Sequence, residues 1–287
     1  MSTVYLNGEY LPLHEAKVSV LDRGFLFADG VYEVIPSYGG HLLRLQHHLH
    51  RLQINLDAIR IDNPLSTEQW QGILQKLLQE NEAEDQSVYL QVTRGVAARR
   101  HHGFPDKVIP TVFIMVTELS PVSKEELRPG VSAITLDDIR WKACNIKSIS
   151  LLGNILLRQQ ALDQNAAEAI LINQGKAVEG AASNLFIVAD GVLVTPPTTN
   201  CLLPGITRDL ILELAQQNNI HYAERDITET ELRSASEIWL SSSTREILPV
   251  IELNGEPVAN GQSGPIWEKM IDIYQQYMAE LRQGRAN

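Results

Sequence analysis

Cysteine is scarce in this 287-residue sequence, which contains only Cys144 and Cys201. The two are far apart and form neither a CxxC pair nor a disulfide framework, which favours a reducing cytoplasm. No uninterrupted apolar run approaches about 18 residues, the length of a membrane-spanning helix. The N-terminus MSTVYLNGEYLPL also lacks a basic region followed by a long apolar run. We therefore expect no signal peptide, no membrane span and a cytoplasmic location.

Positive charge is also limited, since 24 Lys and Arg face 35 Asp and Glu and the formal net charge is -11. There is no basic tail and no block of like charge. Nucleic-acid binding requires clustered Lys and Arg, so nucleic acid is excluded as the main partner, whereas a small anion needs only a local site. Hydrophobic residues make up 44% of the chain, which excludes a disordered protein and allows a sizeable core.

Several motifs of known enzyme classes are missing. There is no GxGxxG and no Walker P-loop, so a nucleotide phosphate site is not indicated, and no GxSxG elbow presents a nucleophilic serine. His47, His48 and His50 lie close together, but no cysteine or suitably spaced carboxylate completes a zinc site. We predict no bound metal ion.

Short strands, hairpins and single helices alternate along the chain. Asn7-Gly8 separates two apolar segments, residues 4–6 and 9–11, and is typical of a tight hairpin turn. Ser66-Thr67-Glu68 is predicted to begin a helix with Ser66 or Thr67 as its N-cap, and residues 151–164 are predicted to be helical. Leucines with helical spacing predict another helix over residues 45–59. In the helix over residues 151–164, the same spacing predicts that Leu152, Leu156 and Ala161 point inward. This mixture favours an α+β fold over a doubly wound parallel sheet.

The best candidate for a domain boundary is Ser120-Pro121-Val122-Ser123, which reads as a linker after a strongly apolar strand. The length suits one large domain or two modest ones. We predict a small N-terminal domain over residues 1–120, a linker over 121–126 and a larger C-terminal domain over 127–287.

Lys147 lies in an apolar segment, Cys144-Asn145-Ile146-Lys147-Ser148. Burial would favour the neutral amine, which attacks carbonyl carbons. The alternative is a structural lysine whose stem packs while its ammonium group reaches solvent.

Glu179 precedes Gly180 and a run of small residues, a composition typical of a tight turn that other groups approach closely. A carboxylate there could pair with a protonated ring nitrogen, as pyridoxal 5'-phosphate (PLP) enzymes require. The alternative is a solvated glutamate at the end of a hairpin.

Gly205-Ile206-Thr207 opens a predicted helix, whose free N–H groups and positive end suit an anion. Ser243-Thr244, after a predicted strand, could add hydroxyl donors, and Arg51 could add a full charge. Thr207 could instead cap its own helix.

Residues 94–102 form a loop dense in hydrogen-bond donors, including Arg99 and His101. An arginine offers a planar fork that matches a carboxylate. The alternative is a solvated charged loop.

Together, these residues resemble the fold-type IV PLP enzymes over nearly the whole chain and in the same order. The motif Asp22-Arg23-Gly24 with residues 29–33 looks like the N-terminal signature of this family. Lys147 matches the lysine that binds the cofactor covalently, and Glu179 the glutamate that meets the pyridine nitrogen. The residues matching those that hold the cofactor phosphate are Arg51, Ile206, Thr207, Ser243 and Thr244.

Within this family, the loop over residues 94–105 and the segment over 138–154 look like the D-amino-acid aminotransferases. That resemblance implies that Tyr32, Arg99 and His101 trap the substrate carboxylate. It also implies a homodimer in which Arg99 and His101 reach in from the partner subunit. The implied fold is a small α/β domain and a larger β-rich domain, with PLP in a cleft.

Two features depart from the subfamily pattern. Ala181 and Ala182 stand where the D-amino-acid enzymes usually have serines, and Gly103 looks like an insertion that leaves the register of the loop open by one residue. The resemblance implies transamination between a D-alanine-like amino acid and a 2-oxo acid such as 2-oxoglutarate. The alternatives are a branched-chain aminotransferase, an aminodeoxychorismate lyase on the same scaffold, and a non-catalytic α/β binding module.

Overall fold

A computed structural model describes residues 2–120 and 122–286, so Pro121 of the predicted linker, Met1 and Asn287 lie outside the described residues. The described part of the chain mixes helices and strands, as the predicted α+β class requires. None of its helices combines the length and the apolar character that crossing a membrane demands.

Helices are interspersed among runs of strands along the described part of the chain. The helices are α1 (Arg23–Phe27), α2 (Leu45–Ala58), α3 (Thr67–Glu80), α4 (Lys124–Leu127), α5 (Leu152–Asp163), α6 (Ile206–Gln217), α7 (Glu229–Ser234) and α8 (Pro265–Arg282). The strands of the first half are β1 (Thr3–Leu6), β2 (Glu9–Pro12), β3 (Gly30–Tyr38), β4 (His41–Leu42), β5 (Gln86–Thr93) and β6 (Thr111–Glu118). Those of the second half are β7 (Val131–Asp137), β8 (Glu168–Asn173), β9 (Lys176–Gly180), β10 (Asn184–Ala189), β11 (Val192–Thr195), β12 (Tyr222–Glu224), β13 (Ile227–Thr228), β14 (Glu237–Ser242), β15 (Glu246–Leu253) and β16 (Glu256–Pro257).

The chain divides into two compact units. Unit 1 comprises Met1–Pro121, Ile146–Ser150 and Glu280–Asn287, and unit 2 comprises Val122–Asn145 and Leu151–Ala279. The predicted domain bounds, residues 1–120, 121–126 and 127–287, stay a prediction, and the two units differ from them at two segments. Ile146–Ser150 groups with unit 1 because its backbone hydrogen-bonds to β3, and the C-terminal segment does so because Arg282 pairs with Asp85.

Unit 1 is built on an antiparallel sheet of strand order β2-β1-β6-β5-β3-β4. The predicted hairpin at Asn7-Gly8 is confirmed, with φ angles of 50° and 103°. The predicted cap of α3 is confirmed too, since Ser66 and Gln69 form a reciprocal capping box. Val31, Ile35 and Leu90 from one face of the sheet join leucines of α2 and α3 in a single core.

Unit 2 contains a larger, mixed sheet. Its strand order is β12-β11-β10-β14-β15-β7-β8-β9-β13, and β9 also pairs with β10 through Glu179 and Asn184. The strands from β10 through β14, β15, β7 and β8 to β9 therefore close on themselves. Parallel pairing occurs between β15 and β7 and between β7 and β8, where connections are long enough for a crossover.

Helix α5 packs against β8 with a different face from the predicted one. Leu157 and Ala161 are buried against β8, whereas Leu152 is 69% exposed and Leu156 49% exposed. The prediction that Leu152 and Leu156 point inward is therefore wrong, because the buried stripe passes one residue later, through Leu157. Ile155 is also exposed, so α5 carries an apolar face without cover in this unit.

Candidate active site

Lys147 is held against strand β3 of unit 1. Tyr32 N–H donates to the carbonyl oxygen of Lys147 (3.0 Å), and Ile149 N–H donates to that of Gly30 (3.1 Å). The amide oxygen of Asn55 on α2 accepts from Lys147 N–H (3.3 Å). The lysine is half-buried, with Nζ 4.2 Å from the centre of the Tyr32 ring. Two predicted site residues, Lys147 and Tyr32, are thus brought together, and the segment is fixed while its amine stays accessible.

Arg51 lies in a buried charge cluster with two residues that the sequence did not single out for this role. Its Nε donates to Glu33 Oε1 (2.8 Å) and one terminal nitrogen to Oε2 (2.6 Å). His48 Nδ1 lies 2.8 Å from the same Oε2. His48 and Arg51 are three residues apart on α2, so they share a helix face and meet Glu33 on β3 together.

The charge state of this cluster follows from its burial. Burial alone would raise the pKa of Glu33, but the Arg51 guanidinium and the hydrogen bonds from Arg51 and His48 outweigh it and lower the pKa to about 2. Burial lowers the pKa of His48 against the opposing effect of Glu33, so the imidazole is neutral near pH 7 and Nδ1 carries its proton. The ionised carboxylate of Glu33 therefore fixes the orientation of the positively charged Arg51 guanidinium.

Two buried atoms in this region have no hydrogen-bond partner among the described residues. These are His48 Nε2 and the amide nitrogen of Asn55. The Asn55 nitrogen belongs to the same amide whose oxygen binds Lys147 N–H, so an unsatisfied donor lies next to the lysine segment. Buried unpaired donors are rare, which makes this one a sign of a missing ligand atom.

Glu179 ends β9 in unit 2, with 4% of its surface exposed. Its Oε1 accepts from Arg140 (2.5 Å), and its Oε2 accepts from Leu203 N–H (3.1 Å) and the Asn184 side chain (3.3 Å). Burial raises the pKa of Glu179 to about 7, against the opposing pull of Arg140. This carboxyl group is therefore poised to share a proton with a basic atom near neutral pH.

Arg140 is a residue whose part in the site the sequence reasoning missed. Its Nε and a terminal nitrogen each lie 2.9 Å from an oxygen of Asp138. Burial would lower the pKa of Arg140, but the hydrogen bonds to Asp138 and the charge of Glu179 outweigh it and raise the pKa. The available signal was the spacing of an aspartate and an arginine two residues apart, Asp138 and Arg140. It gave no hint of the third partner, Glu179, because that residue is 39 positions away.

The N-terminus of α6 has the features of an anion site. Gly205 is the N-cap and no side chain caps the helix, so Thr207 does not act as its own cap. A Cβ added at Gly205 would lie 1.9 Å from Asn184 Oδ1, so a larger residue does not fit there. Ile206 and Thr207 supply the first N–H groups of the helix, and Thr207 is buried.

Ser243 and Thr244 occupy the turn between β14 and β15, with Ser243 half-buried and Thr244 exposed. Helix α6 packs against β14, so the two predicted phosphate-binding segments are carried by neighbouring elements of unit 2. Ser241 Oγ, at the end of β14, is buried without a hydrogen-bond partner among the described residues. It is a further hydroxyl that the sequence did not single out.

Ala181 and Ala182 differ in their surroundings. Ala181 is buried against α5, and its carbonyl accepts from Asn154 (2.8 Å). Ala182 is exposed at the tip of the turn. A serine at position 181 would place its hydroxyl inside the packing against α5, whereas a serine at position 182 would place its hydroxyl towards solvent.

Arg99 and His101 are exposed in unit 1, on a segment that forms neither helix nor strand. Gly103 N–H donates to His101 Nδ1 (3.1 Å). Because a backbone N–H can only donate, Nδ1 is unprotonated and the proton of the neutral ring lies on Nε2. This hydrogen bond therefore leaves the Nε2–H donor of His101 unused.

Comparison with known proteins decides the family. The family of class IV amino-transferases matches residues 30–253. The chain is a class IV aminotransferase. The D-alanine aminotransferase of Staphylococcus aureus (strain MW2) is 39% identical over 278 residues, covering 97% of this chain and 98% of the relative. That of Listeria monocytogenes serotype 1/2a (strain 10403S) is 40% identical over 279 residues, covering 97% and 96%.

Solved structures agree with this aminotransferase fold. The branched-chain amino acid aminotransferase of Escherichia coli superposes with a TM-score of 0.91 at 26% identity, covering 100% of this chain and 96% of that one. A T.th. branched-chain amino acid aminotransferase with pyridoxamine 5'-phosphate gives 0.92 at 24% identity, covering 99% and 96%, and shows the fold alone. The predicted fold-type IV architecture is confirmed. The protein is an enzyme, a PLP-dependent transaminase.

The residues of this aminotransferase fit PLP. Lys147 offers an accessible amine, Glu179 a carboxyl group with a pKa of about 7, and α6 an uncapped N-terminus. Asn55 and Ser241 add buried polar atoms that lack partners among the described residues. Within those residues, no group of three or more His, Cys, Asp and Glu side chains could hold a metal ion.

Proposed function

We propose that this enzyme transfers an amino group between a D-alanine-like amino acid and a 2-oxo acid such as 2-oxoglutarate. The D-alanine aminotransferases, at 39% and 40% identity over nearly the whole chain, support the substrate class. The observation that carries the proposal is the placement of Lys147 Nζ, 4.2 Å from the ring centre of Tyr32 on a segment tied to β3.

Lys147 has two tasks in the proposed reaction. Its Nζ would bind the cofactor covalently, and as a free amine it would be the base that removes the substrate α-proton and the acid that returns a proton. PLP, when bound, supplies an electron sink for the carbanion that this proton transfer produces. The backbone hydrogen bonds on both sides of Lys147 hold its Cα while the side chain moves between these positions.

Glu179 is assigned to the ring nitrogen of the cofactor. Its buried carboxylate is oriented by Arg140, Leu203 and Asn184, so a proton held between it and a ring nitrogen is stabilised in a fixed place. Arg140 supplies the charge that keeps Glu179 ionised when a cation is opposite. The arrangement supports a permanently protonated pyridine nitrogen.

The cofactor phosphate is assigned to an arginine and two backbone turns. Arg51 supplies a charge oriented by Glu33, and the uncapped N-terminus of α6 supplies the N–H groups of Ile206 and Thr207. Ser243 and Thr244 add hydroxyl groups from the turn after β14.

Tyr32, Arg99 and His101 are assigned to the substrate carboxylate. The last two lie in an exposed loop, and we infer that they serve the partner subunit of a homodimer. Exposed apolar side chains support a second copy as the partner, since large apolar patches mark interaction sites. They are Phe25 (75% exposed), Ile109 (87%), Phe104 (55%) and, on α5, Leu152 (69%). The free thiols Cys144 and Cys201 suit a cytoplasmic enzyme.

The test of the function uses the purified protein. It should be yellow, and borohydride should fix the cofactor to the peptide that contains Lys147. D-alanine with 2-oxoglutarate should yield pyruvate, and Lys147→Ala should abolish this reaction. A protein that takes up no PLP, or a Lys147→Ala variant that keeps wild-type turnover, would contradict the proposal.

Alternative activities on the same scaffold are separated by substrate. Turnover of L-leucine or L-isoleucine in place of D-alanine would move the assignment to a branched-chain aminotransferase. Release of pyruvate from aminodeoxychorismate would move it to a lyase. Membership of the aminotransferase family disfavours a non-catalytic binding module.

A further inference from the structure

The motif Asp22-Arg23-Gly24 has no role in the chemistry described so far, yet it is densely connected in unit 1. Asp22 caps α1 by accepting from Gly24 N–H (2.7 Å). It also accepts from the hydroxyls of Thr93 (2.8 Å) and Thr111 (2.7 Å), at the end of β5 and the start of β6. Helix α1 is therefore anchored where β5 ends and β6 begins, and the loop that contains Arg99 connects these two strands.

Arg23 uses this anchorage to hold the loop itself. Its side chain is 4% exposed, and its Nε donates to Asp29 (2.7 Å). One terminal nitrogen donates to the carbonyls of His101 (2.6 Å) and Gly103 (3.3 Å), and the other donates to that of His102 (3.3 Å). A single guanidinium thus binds three consecutive backbone carbonyls and Asp29, which uses more N–H donors than a lysine ammonium has.

Asp29 holds the Arg23 side chain in place. It is shared between Arg23 and Arg94, whose guanidinium donates to both carboxylate oxygens (2.8 and 3.0 Å). Burial would raise the pKa of Asp29, but the hydrogen bonds from Arg94 and Arg23 outweigh it and lower the pKa. Asp29 is therefore ionised at neutral pH and fixes the orientation of the Arg23 fork.

The loop also contacts α1 through its side chains. The Phe27 ring lies 4.8 Å from the guanidinium carbon of Arg23 and 4.8 Å from that of Arg100, and the His102 ring lies 5.3 Å from it. Arg100 and His102 are thus occupied on α1, whereas the residues alternating with them are Arg99 and His101. This arrangement selects which two side chains of the loop remain available to a ligand.

We propose that Arg23 is a positioning residue that fixes the register and direction of the substrate-carboxylate trap formed by Arg99 and His101. The inference rests on the proposed function of those two residues. Residues 97–110 form neither helix nor strand, so an unsupported loop would have to be ordered when substrate binds. Because Arg23 already orders the loop, less conformational entropy is lost when the substrate binds, and the KM for the carboxylate substrate is lower.

The experiment compares Arg23→Lys and Arg23→Ala with the wild-type holoenzyme. Lysine keeps the charge beside Asp29 but has too few N–H donors, and no planar fork, to serve Asp29 and the three carbonyls together. Because the charge is kept, Arg23→Lys should fold even if Arg23→Ala does not. We expect KM for D-alanine and for 2-oxoglutarate to rise about ten- to a hundredfold, the loss implied by hydrogen bonds to a charged group. The kcat, the PLP absorbance and the PLP dissociation constant should stay near wild type.

A double-mutant cycle distinguishes positioning from a general structural role. In an Arg99→Ala background, Arg23→Lys should raise KM by much less than it does alone, because its effect acts through Arg99. The matched control is Arg233→Ala on α7, an exposed arginine paired with Glu229, which should leave KM unchanged. Amide exchange of residues 98–103 should be faster in Arg23→Lys than in wild type.

Three results would overturn the inference, and only the third also removes the proposed trap. If Arg99→Ala raises KM but Arg23→Lys does not, Arg23 is not a positioning residue and the trap stands. If the Arg23→Lys effect is equally large in the Arg99→Ala background, it does not act through the trap. If Arg99→Ala leaves KM unchanged, the proposed trap itself fails and the role of Arg23 fails with it.

Discussion

Arg140 donates to Glu179 across 2.5 Å, although the two residues are 39 positions apart in the sequence. Both side chains are about 5% exposed, so this ion pair is screened very little by solvent. It places a permanent cation behind the carboxyl group assigned to the cofactor nitrogen. The protonation state of Glu179 therefore depends on Arg140.

The first prediction concerns Arg140→Met. Because Arg140 opposes the effect of burial, its loss should raise the pKa of Glu179 above about 7. Glu179 would then be protonated at neutral pH, and kcat should fall about tenfold or more, the loss of one charge-assisted hydrogen bond. The low-pH limb of the kcat profile should move to higher pH, and Arg140→Lys should restore it in part. A profile that superimposes on the wild-type one would contradict this role.

The second prediction concerns acid stability and Glu33. Its pKa is about 2 in the folded protein, below the ordinary value of 4.5, so its contribution is present above pH 4.5 and is lost as the pH falls towards 2. The shift corresponds to roughly 3 kcal/mol of unfolding free energy. The urea midpoint of the wild type should therefore drop across this window.

The variant Glu33→Gln tests that assignment. It leaves Arg51 as a buried charge without its carboxylate, so the urea midpoint at pH 6 should be much lower than that of wild type. Between pH 4.5 and 2 the variant should lose less stability than wild type does. Glu82→Gln, at an exposed position, is the control and should follow the wild-type curve. Parallel pH curves for Glu33→Gln and wild type would refute the assignment.

The third prediction concerns Gly205→Ala. The added Cβ would meet Asn184 Oδ1 at 1.9 Å, and Asn184 cannot move freely because it also binds Glu179 and the Leu203 carbonyl. We expect a loss of about 1–3 kcal/mol in unfolding free energy and weaker PLP binding. In the control, Gly72→Ala in α3, nothing lies within 4 Å, so its Tm should rise slightly. Equal Tm values and PLP affinities for the two variants would count against the close packing at Gly205.

The fourth prediction concerns the apolar face of α5. Leu152, Ile155 and Leu156 are exposed in unit 2, and we expect a second subunit to cover them. Leu156→Asp should therefore shift the enzyme from dimer to monomer in light scattering after gel filtration. Gln75→Asp, at an exposed position of α3, adds the same charge on another helix and should leave the dimer intact. An unchanged mass for Leu156→Asp would remove α5 from the interface.

Local patterns in the sequence predicted a large part of this fold. The Asn7-Gly8 turn and the Ser66 cap depend on neighbouring residues only, so their chemistry is visible in a short stretch. The inward face of α5 was predicted wrongly because leucines line both sides of that helix. Periodicity cannot separate a side that faces the core from one left for another partner.

The candidate site shows the same limit. Lys147 and Glu179 were found from local composition and from family resemblance, and the comparisons support the family. Glu33, His48 and Arg140 were not found, since each gains its role from a partner at least 15 positions away. Such pairings depend on strand register and helix packing, which no single stretch of sequence encodes.

The alternation of strand β3 has a consequence for how this protein can evolve. Glu33 faces the core, where Arg51 and His48 bind it, and Tyr32 faces the opposite side, towards Lys147. A one-residue insertion or deletion within the strand would exchange the two faces, burying a tyrosine among charges and exposing the glutamate to the lysine. Length changes in β3 should therefore be eliminated by selection even though either residue alone could be replaced by point mutation.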